Sequence, residues 1–366
     1  MAVQQLRKSA GARWKIERRP DVSTGRQFVA ILLALGVSFV VSAVLIAVAG
    51  ASVGRAAVAA LHGAFGDLRA IAETLLQATP ILFTGLAVTV AFRARLFSIG
   101  AEGQFFAGAM GAVWVCMLVG DRLPSAVLIP LVVVAGLVGG GIWGAIPGLL
   151  KAKYDASEII VTVMLNFVIF FFLAFLLGDA WRDPSSFYYQ TPRMPAAAQF
   201  PELIPGMRLH WGFVLALACA AMVYVFLWKT AWGYEIRAVG INAEAARYKG
   251  ISIPKVTVVA MAVSGAIAGL AGASEVPGLH QRLVLDLSSG FGFTGIIIAM
   301  LGRLHPLGVV PAAILFGASV TGISAMQIAV NVPVAINQAI QGVILIFLLM
   351  ADVLVRYRVR RTNPRV

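Results

Sequence analysis

Two polar groupings interrupt an otherwise apolar chain, and they define the chemistry available to it. The first contains Glu102 and Gln104, in the run Ser98-Ile99-Gly100-Ala101-Glu102-Gly103-Gln104, together with Asn166 in the apolar stretch 159–177. Each is polar where polarity is costly in a membrane. Asn166 both donates and accepts hydrogen bonds, so it could recognise a polar solute, and an interhelical hydrogen bond would use the same groups. Thr294, and the pair Asn337 and Gln341 one helical turn apart, extend this set of substrate-pathway candidates, with helix packing as their alternative role.

The second grouping is residues 233–255, GYEIRAVGINAEAARYKGISIPK. Asn242 is a good N-cap, Ala243, Glu244, Ala245, Ala246, Arg247, Tyr248 and Lys249 are mostly helix formers, and Gly250 can supply a left-handed C-terminal cap. Glu244 near the start, with Arg247 and Lys249 near the end, complements the helix dipole. Such a helix is only ~10 Å long, too short to cross a bilayer, so it lies outside the membrane. Too short to be stable alone, it packs against something, either another protein or the membrane surface.

Covalent and metal chemistry have little footing. His62, His210, His280 and His305 are scattered singly, without HExxH spacing, and Cys116 and Cys219 lie in apolar runs without CxxC spacing. There is no GxxxxGK[ST] phosphate-binding loop. No catalytic residue, metal or cofactor is assigned to the chain itself.

Membrane spans must position these residues. Of the 366 residues 60% are hydrophobic and only 12% charged, against roughly 25% charged in a soluble domain. The mean hydropathy is +0.89. Apolar runs at residues 28–54, 71–92, 105–119, 125–150, 159–177, 211–228, 256–273, 291–301, 307–328 and 335–355 predict an all-α, polytopic membrane protein of about ten transmembrane helices. The eighth run is too short to cross as one regular helix. Residues 1–27 form a basic N-terminal extension, 28–355 the transmembrane domain, 178–210 an external loop rich in proline and aromatics, and 356–366 a basic tail.

The net charge of +13 follows this topology. With ten spans both termini share one side, and most Lys and Arg fall there: the two ends, Arg93 and Arg95, Lys151 and Lys153, Arg303, and the group from Lys229 to Lys255. That is the positive-inside pattern of a membrane protein, and it needs no nucleic acid as partner. Division into five plus five spans makes any repeat between the halves inverted, and the third span of each half is preceded by Ser and Gly. Gly100, Gly103 and Gly290 are therefore expected to mark helix breaks, which a bilayer tolerates only where protein or a water-filled path covers them.

The sequence also resembles a known family, the permease subunits of bacterial ABC importers for simple sugars and nucleosides, especially the nucleoside branch. The blocks that carry the resemblance are LFSIGAEGQFFAGAMGA (residues 96–112), YDASEIIVTVMLNFV (154–168), GYEIRAVGINAEAARYKGI (233–251) and GFGFTGIIIAMLGRLHPLGVVPAAILFGA (290–318). The resemblance implies a ten-span permease fold in the bacterial inner membrane, with both termini cytoplasmic. It implies that residues 242–250 form a coupling helix seated in a cytoplasmic ATPase, which carries the ATP and Mg. It further implies an external substrate-binding protein and a second permease subunit, related or identical. Many relatives carry Asn where Ser98 stands, and the basic N-terminal extension has no clear counterpart. An ion-coupled secondary carrier would share the inverted architecture, but its expected ionisable residue deep in a span is missing, since Glu73, Glu102 and Glu275 sit near predicted span ends or loops. A membrane-embedded enzyme lacks any nucleophile and base constellation.

Overall fold

The computed structural model describes residues 13–18, 24–120 and 122–362. In chain order the elements are β1 (Arg13–Arg18), α1 (Thr24–Val48), α2 (Val53–Phe65), α3 (Leu68–Arg93), α4 (Ala101–Val119), α5 (Ser125–Tyr154), α6 (Glu158–Gly178), α7 (Gly212–Lys229), α8 (Ala231–Ile241), α9 (Ala243–Tyr248), α10 (Ile253–Glu275), α11 (Phe291–Leu301), α12 (Pro306–Val330), α13 (Val334–Arg356) and β2 (Tyr357–Thr362). Among the described residues nine helices are long and apolar enough to cross a membrane, and α11 is a shorter apolar helix. The ten apolar runs thus become nine full-length spans and one short helix.

Three features depart from the sequence reading. Helix α1 ends at Val48, before a left-handed Gly50 (φ 77°), and helix α2 fills the interval between the first two apolar runs, where the sequence reading placed no element. Helix α8 precedes the short helix expected at 242–250, so that stretch is two helices and not one. The basic ends, read as separate segments, pair as an antiparallel ribbon with Arg13 opposite Thr362 and Arg18 opposite Tyr357. The remainder of those ends, residues 1–12, 19–23 and 363–366, lies outside the described residues.

The chain falls into two units, one made of its two ends (Met1–Val53 and Pro333–Val366) and one of Gly54–Val332. In the first, α1 packs along α13. In the second, α3 and α10 form the interior, with 83% and 72% of their apolar windows buried against 22% for α5 and 17% for α6. Helix α10 packs on α5 and α4, while α3 packs on α12 and α11. Each interior helix thus packs on helices of the other half of the chain, as expected of an inverted repeat.

Glycine makes the packing possible. A Cβ on Gly269 would stand 2.3 Å from the Gly136 carbonyl oxygen, and one on Gly265 2.3 Å from that of Gly140, so α5 and α10 meet backbone to backbone. On the other side, a Cβ on Gly317 of α12 would come within 2.6 Å of the Thr74 carbonyl oxygen of α3. Lipid tails are as apolar as leucine, so helices in a bilayer associate through such close contact and not through the hydrophobic effect.

Residues 179–211 are strapped over the chain that follows α10. Thr191 N donates to the Leu283 carbonyl, Leu283 N to Thr191 Oγ1, Met194 N to the Gln281 carbonyl and Phe200 N to the Pro277 carbonyl. Arg282 pairs with Asp183 at 3.0 Å. Hydrogen bonds from Ser185, and then the Arg282 charge, hold the Asp183 carboxyl below its ordinary range. Glu275 instead lies buried, 3.7 Å from His280 Nε2. Phe187 (96% exposed) and Tyr188 (77% exposed) stand out from the strap and are free to meet a partner.

Two predictions follow from this packing and this strap. Gly269→Leu drives α5 away from α10 and is expected to abolish the monodisperse folded fraction in size-exclusion chromatography. Gly342→Leu, with open space around the missing Cβ, leaves that fraction intact. The second concerns His210, which is buried under the strap with Nδ1 accepting from Gly212 N. Burial lowers its pKa from 6.5 to about 4, so the folded chain holds it neutral. The unfolded chain binds the proton first as pH falls, so stability from this site is complete above pH 6.5 and lost progressively between 6.5 and about 4. Limited proteolysis of the strap is expected to accelerate over that window, and His210→Asn to flatten the response.

Candidate functional site

Helices α4 and α11 begin inside the protein, and their N-terminal ends meet. A Cβ on Gly292 would lie 2.2 Å from Glu102 N, so the two first turns touch through their backbones. Glu102 Oε2 accepts from Gly292 N at 2.7 Å, and the Ser288 side chain is hydrogen-bonded to the same carboxyl group. Ser288 Oγ in turn accepts from Gly290 N and Phe291 N, both at 3.1 Å. One carboxyl from the start of α4 and one hydroxyl thus serve the free N–H groups that open α11. Thr84 of α3 completes the seat by donating to the Phe291 carbonyl at 2.9 Å.

The opening turn of α4 is served from α6. Gly103 N donates to Asn166 Oδ1 and Asn166 Nδ2 donates to the Ile99 carbonyl, each at 2.9 Å. Ile99 N donates to Thr162 Oγ1, and Gly100 N to Ser98 Oγ. The Asn166 amide is therefore engaged at both its donor and acceptor ends in interhelical hydrogen bonds. Gly100 is the N-cap of α4 and Gly290 that of α11, the latter left-handed at φ 86°. Gly103 does not break the chain: it lies inside α4, where a Cβ would stand 2.7 Å from Asn166 Oδ1.

Gln104 is buried on the same turn, and its Oε1 has no hydrogen-bond partner among the described residues. Thr294 is buried on the first turn of α11. Asn337 and Gln341 belong to α13, in the unit made of the chain ends, where Gln341 Nε2 donates to Asn337 Oδ1 at 3.0 Å. Of the phenylalanines on α6, Phe167, Phe171 and Phe172 are exposed while Phe170 packs on Phe106. Sequence reasoning missed Thr84, Thr162 and the capping role of Ser288. The Ser-x-Gly spacing shared by Ser98 and Ser288 was the signal for the caps, whereas Thr84, one of four threonines in α3, and Thr162, the lone hydroxyl of α6, carry no such signal.

Beyond the spans, α8 and α9 form a platform. Asn242 Oδ1 accepts from Ala245 N at 3.1 Å as the N-cap of α9, and Gly250 (φ 81°) closes its other end, with Ile251 N donating to the Ala246 carbonyl. Ala246 alone of α9 is buried. Ala243, Glu244, Ala245, Arg247, Tyr248, Lys249 and Gly250 are exposed, Tyr248 at 93%. Helix α9 is thus a knob, capped at both ends, that presents nearly all of its side chains outward, while α8 is partly buried beneath it.

Residues 70–349 match the family model described as "Branched-chain amino acid transport system / permease component". The chain is 35% identical to the guanosine ABC transporter permease protein NupP of Bacillus subtilis (strain 168), over 86% of this chain and 91% of that one. It is 36% identical to the glucose ABC transporter permease protein TsgB13 of Haloferax volcanii, over 79% of this chain and 78% of the relative. The nucleoside ABC transporter permease protein NupB of Lactococcus lactis subsp. cremoris is also 36% identical, over 72% and 74%.

The helix junction yields a direct test. Glu102→Ala leaves Gly292 N without its acceptor and is expected to lower stability by roughly 1–2 kcal/mol. Glu102→Gln keeps a carbonyl acceptor there and is expected to retain most of it. Thermal unfolding of both variants in the same detergent measures the difference.

Proposed function

The chain belongs to the branched-chain amino acid transport system / permease component family, and we propose that it imports nucleosides or related small polar solutes, simple sugars included, as the membrane-spanning subunit of an ABC importer. The activities named for the guanosine, nucleoside and glucose relatives support that substrate class. The chain works in the bacterial inner membrane with both termini in the cytoplasm, which the distribution of Lys and Arg supports. On this reading the chain itself supplies no catalytic group, metal or cofactor. ATP and Mg reside on a cytoplasmic ATPase subunit, an external binding protein delivers solute, and a second permease subunit completes the channel.

The observation that carries this reading is the outward-facing knob of α9. Capped at both ends and seated by Ala246, it holds Asn242 to Gly250 in one fixed shape, as a helix inserted into a cleft of the ATPase requires. Movement of that cleft becomes movement of the platform. The junction of α4 and α11 is where the pathway is read: two helix N-termini converge there, their partial positive charge suits the oxygen-rich face of a sugar or base, and Glu102, Gln104 and Thr294 stand in their first turns. Asn166 acts by holding the α4 end of that junction in place. The exposed Phe187 and Tyr188 offer the external binding protein an aromatic foothold.

The test is co-purification of the tagged chain with its ATPase from membranes, followed by ATP-driven uptake of tritiated guanosine in proteoliposomes. Tyr248→Ala with Arg247→Glu is expected to weaken ATPase retention about tenfold or more while leaving the folded fraction unchanged. Full retention by that variant, or uptake driven by an ion gradient in the absence of any ATPase, would overturn the proposal.

A further inference from the structure

Four elements meet around one indole at the platform end of α3. Trp228, on the last turn of α7, has the Arg93 guanidinium 5.0 Å and the Arg237 guanidinium 5.6 Å from its ring centroid. Tyr224 stacks on it at 5.5 Å with 17° between the rings, and His305 approaches to 4.8 Å. Arg93 comes from α3, Arg237 from α8 and His305 from the turn between α11 and α12. Cation–π attraction to tryptophan is the strongest of its kind, and it strengthens where water is excluded.

The same residues grip backbone on both sides. Towards the platform, a Cβ on Gly240 of α8 would stand 1.9 Å from the Arg93 carbonyl oxygen, so α8 rests directly on the end of α3. Towards the interior, Arg93 Nε donates to the Leu304 carbonyl at 2.7 Å and Nη2 to the Arg303 carbonyl at 3.4 Å. Arg303 and Leu304 both have positive φ, 57° and 52°, a conformation that side-chain-bearing residues rarely adopt in succession. The bonds from Arg93 hold that turn in shape. It is directly joined to the C-terminal end of α11, with Leu304 N donating to the Ala299 carbonyl at 2.8 Å. Helix α11 is a rod of ~16 Å, and its other end is Gly292 against Glu102.

We infer that Trp228, clasped by Arg93 and Arg237, is the joint through which displacement of α8 and α9 shifts α11 and so opens or closes the junction with α4. The inference rests on the proposed docking of α9 in an ATPase. Burial, and then the Arg93 charge, hold His305 below its ordinary pKa, so a neutral imidazole fills the remaining space and adds no third cation. A guanidinium can serve the ring and two carbonyls at once through its planar fork, which a lysine ammonium on a flexible stem does not reproduce.

A cysteine reporter at the mouth of α11 tests the joint without requiring knowledge of the solute. Ser289 is exposed and adjoins Gly290, whereas the native Cys116 and Cys219 are buried. In the reconstituted complex of permease and ATPase, maleimide labelling of the Ser289→Cys reporter is expected to change about tenfold between the nucleotide-free state and the state trapped with ATP, Mg and vanadate. Added Trp228→Leu is expected to remove most of that change while ATP hydrolysis and ATPase retention persist, and Trp228→Phe to restore it. Arg93→Lys provides the same measurement without altering the ring and is expected to give a similar loss. A full labelling change in both Trp228→Leu and Arg93→Lys, or losses matched by equal losses of ATPase retention, would overturn the inference. If the reporter alone, with Trp228 intact, shows no nucleotide-dependent change, it is the docking of α9 that fails, and with it the role of the joint.

Discussion

Two helix N-termini placed head to head inside a membrane protein form an expensive arrangement, and the rest of the fold is organised around satisfying it. Each opening turn presents free N–H groups and partial positive charge, and no lipid can serve either. Glu102 and Ser288 serve the α11 end, and Ser98, Thr162 and Asn166 the α4 end. Because the capping groups come from α4 and α6 as well as from local chain, the junction exists only when distant helices are in register. Displacement of any one of those helices therefore breaks hydrogen bonds at the junction.

That register is imposed by backbone contact. Helices α3 and α10 occupy corresponding places in the two halves, and each is gripped by a long helix of the opposite half through glycine. A glycine inside a helix costs about 1 kcal/mol relative to alanine. The cost is offset because removing the side chain lets whole backbones touch, bringing many atoms into van der Waals range at once. Such interfaces are stiff. Rigid helices meeting at a few defined points suit the role proposed for α9, in which a push on that short cytoplasmic helix must arrive at the junction of α4 and α11.

How far the sequence discloses this differs by feature. The residues Asn242 and Gly250 bracket α9 because capping is local chemistry, dependent on a few neighbouring dihedrals. Phe291–Leu301 stands out for the same reason, bounded by Gly290 and Gly302. In contrast, α2 was not legible between the first two apolar runs, because its 13 residues are too few to cross a bilayer and include Arg55 and His62. Asn166 was legible as costly and polar, but its two partners on the Ile99 to Gly103 turn were not, since they are backbone groups whose availability depends on where α4 begins. The pairing of the basic ends as a ribbon was equally out of reach, for it joins the two most distant parts of the chain.

By itself, then, the sequence disclosed the ten main apolar helices and the short capped helix α9, though not α2 or α8. These follow from composition, periodicity and local capping, which act within a few residues along the chain. Only the tertiary structure decided that Gly103 is a packing surface within a helix, that Arg282 serves Asp183, and that Glu102 caps another helix 190 residues away. The same holds for the clasp of Arg93 and Arg237 on Trp228. The physical reason is common to all four: each depends on the angle and depth at which helices cross, and those are fixed by the mutual fit of many side chains and not by any one segment.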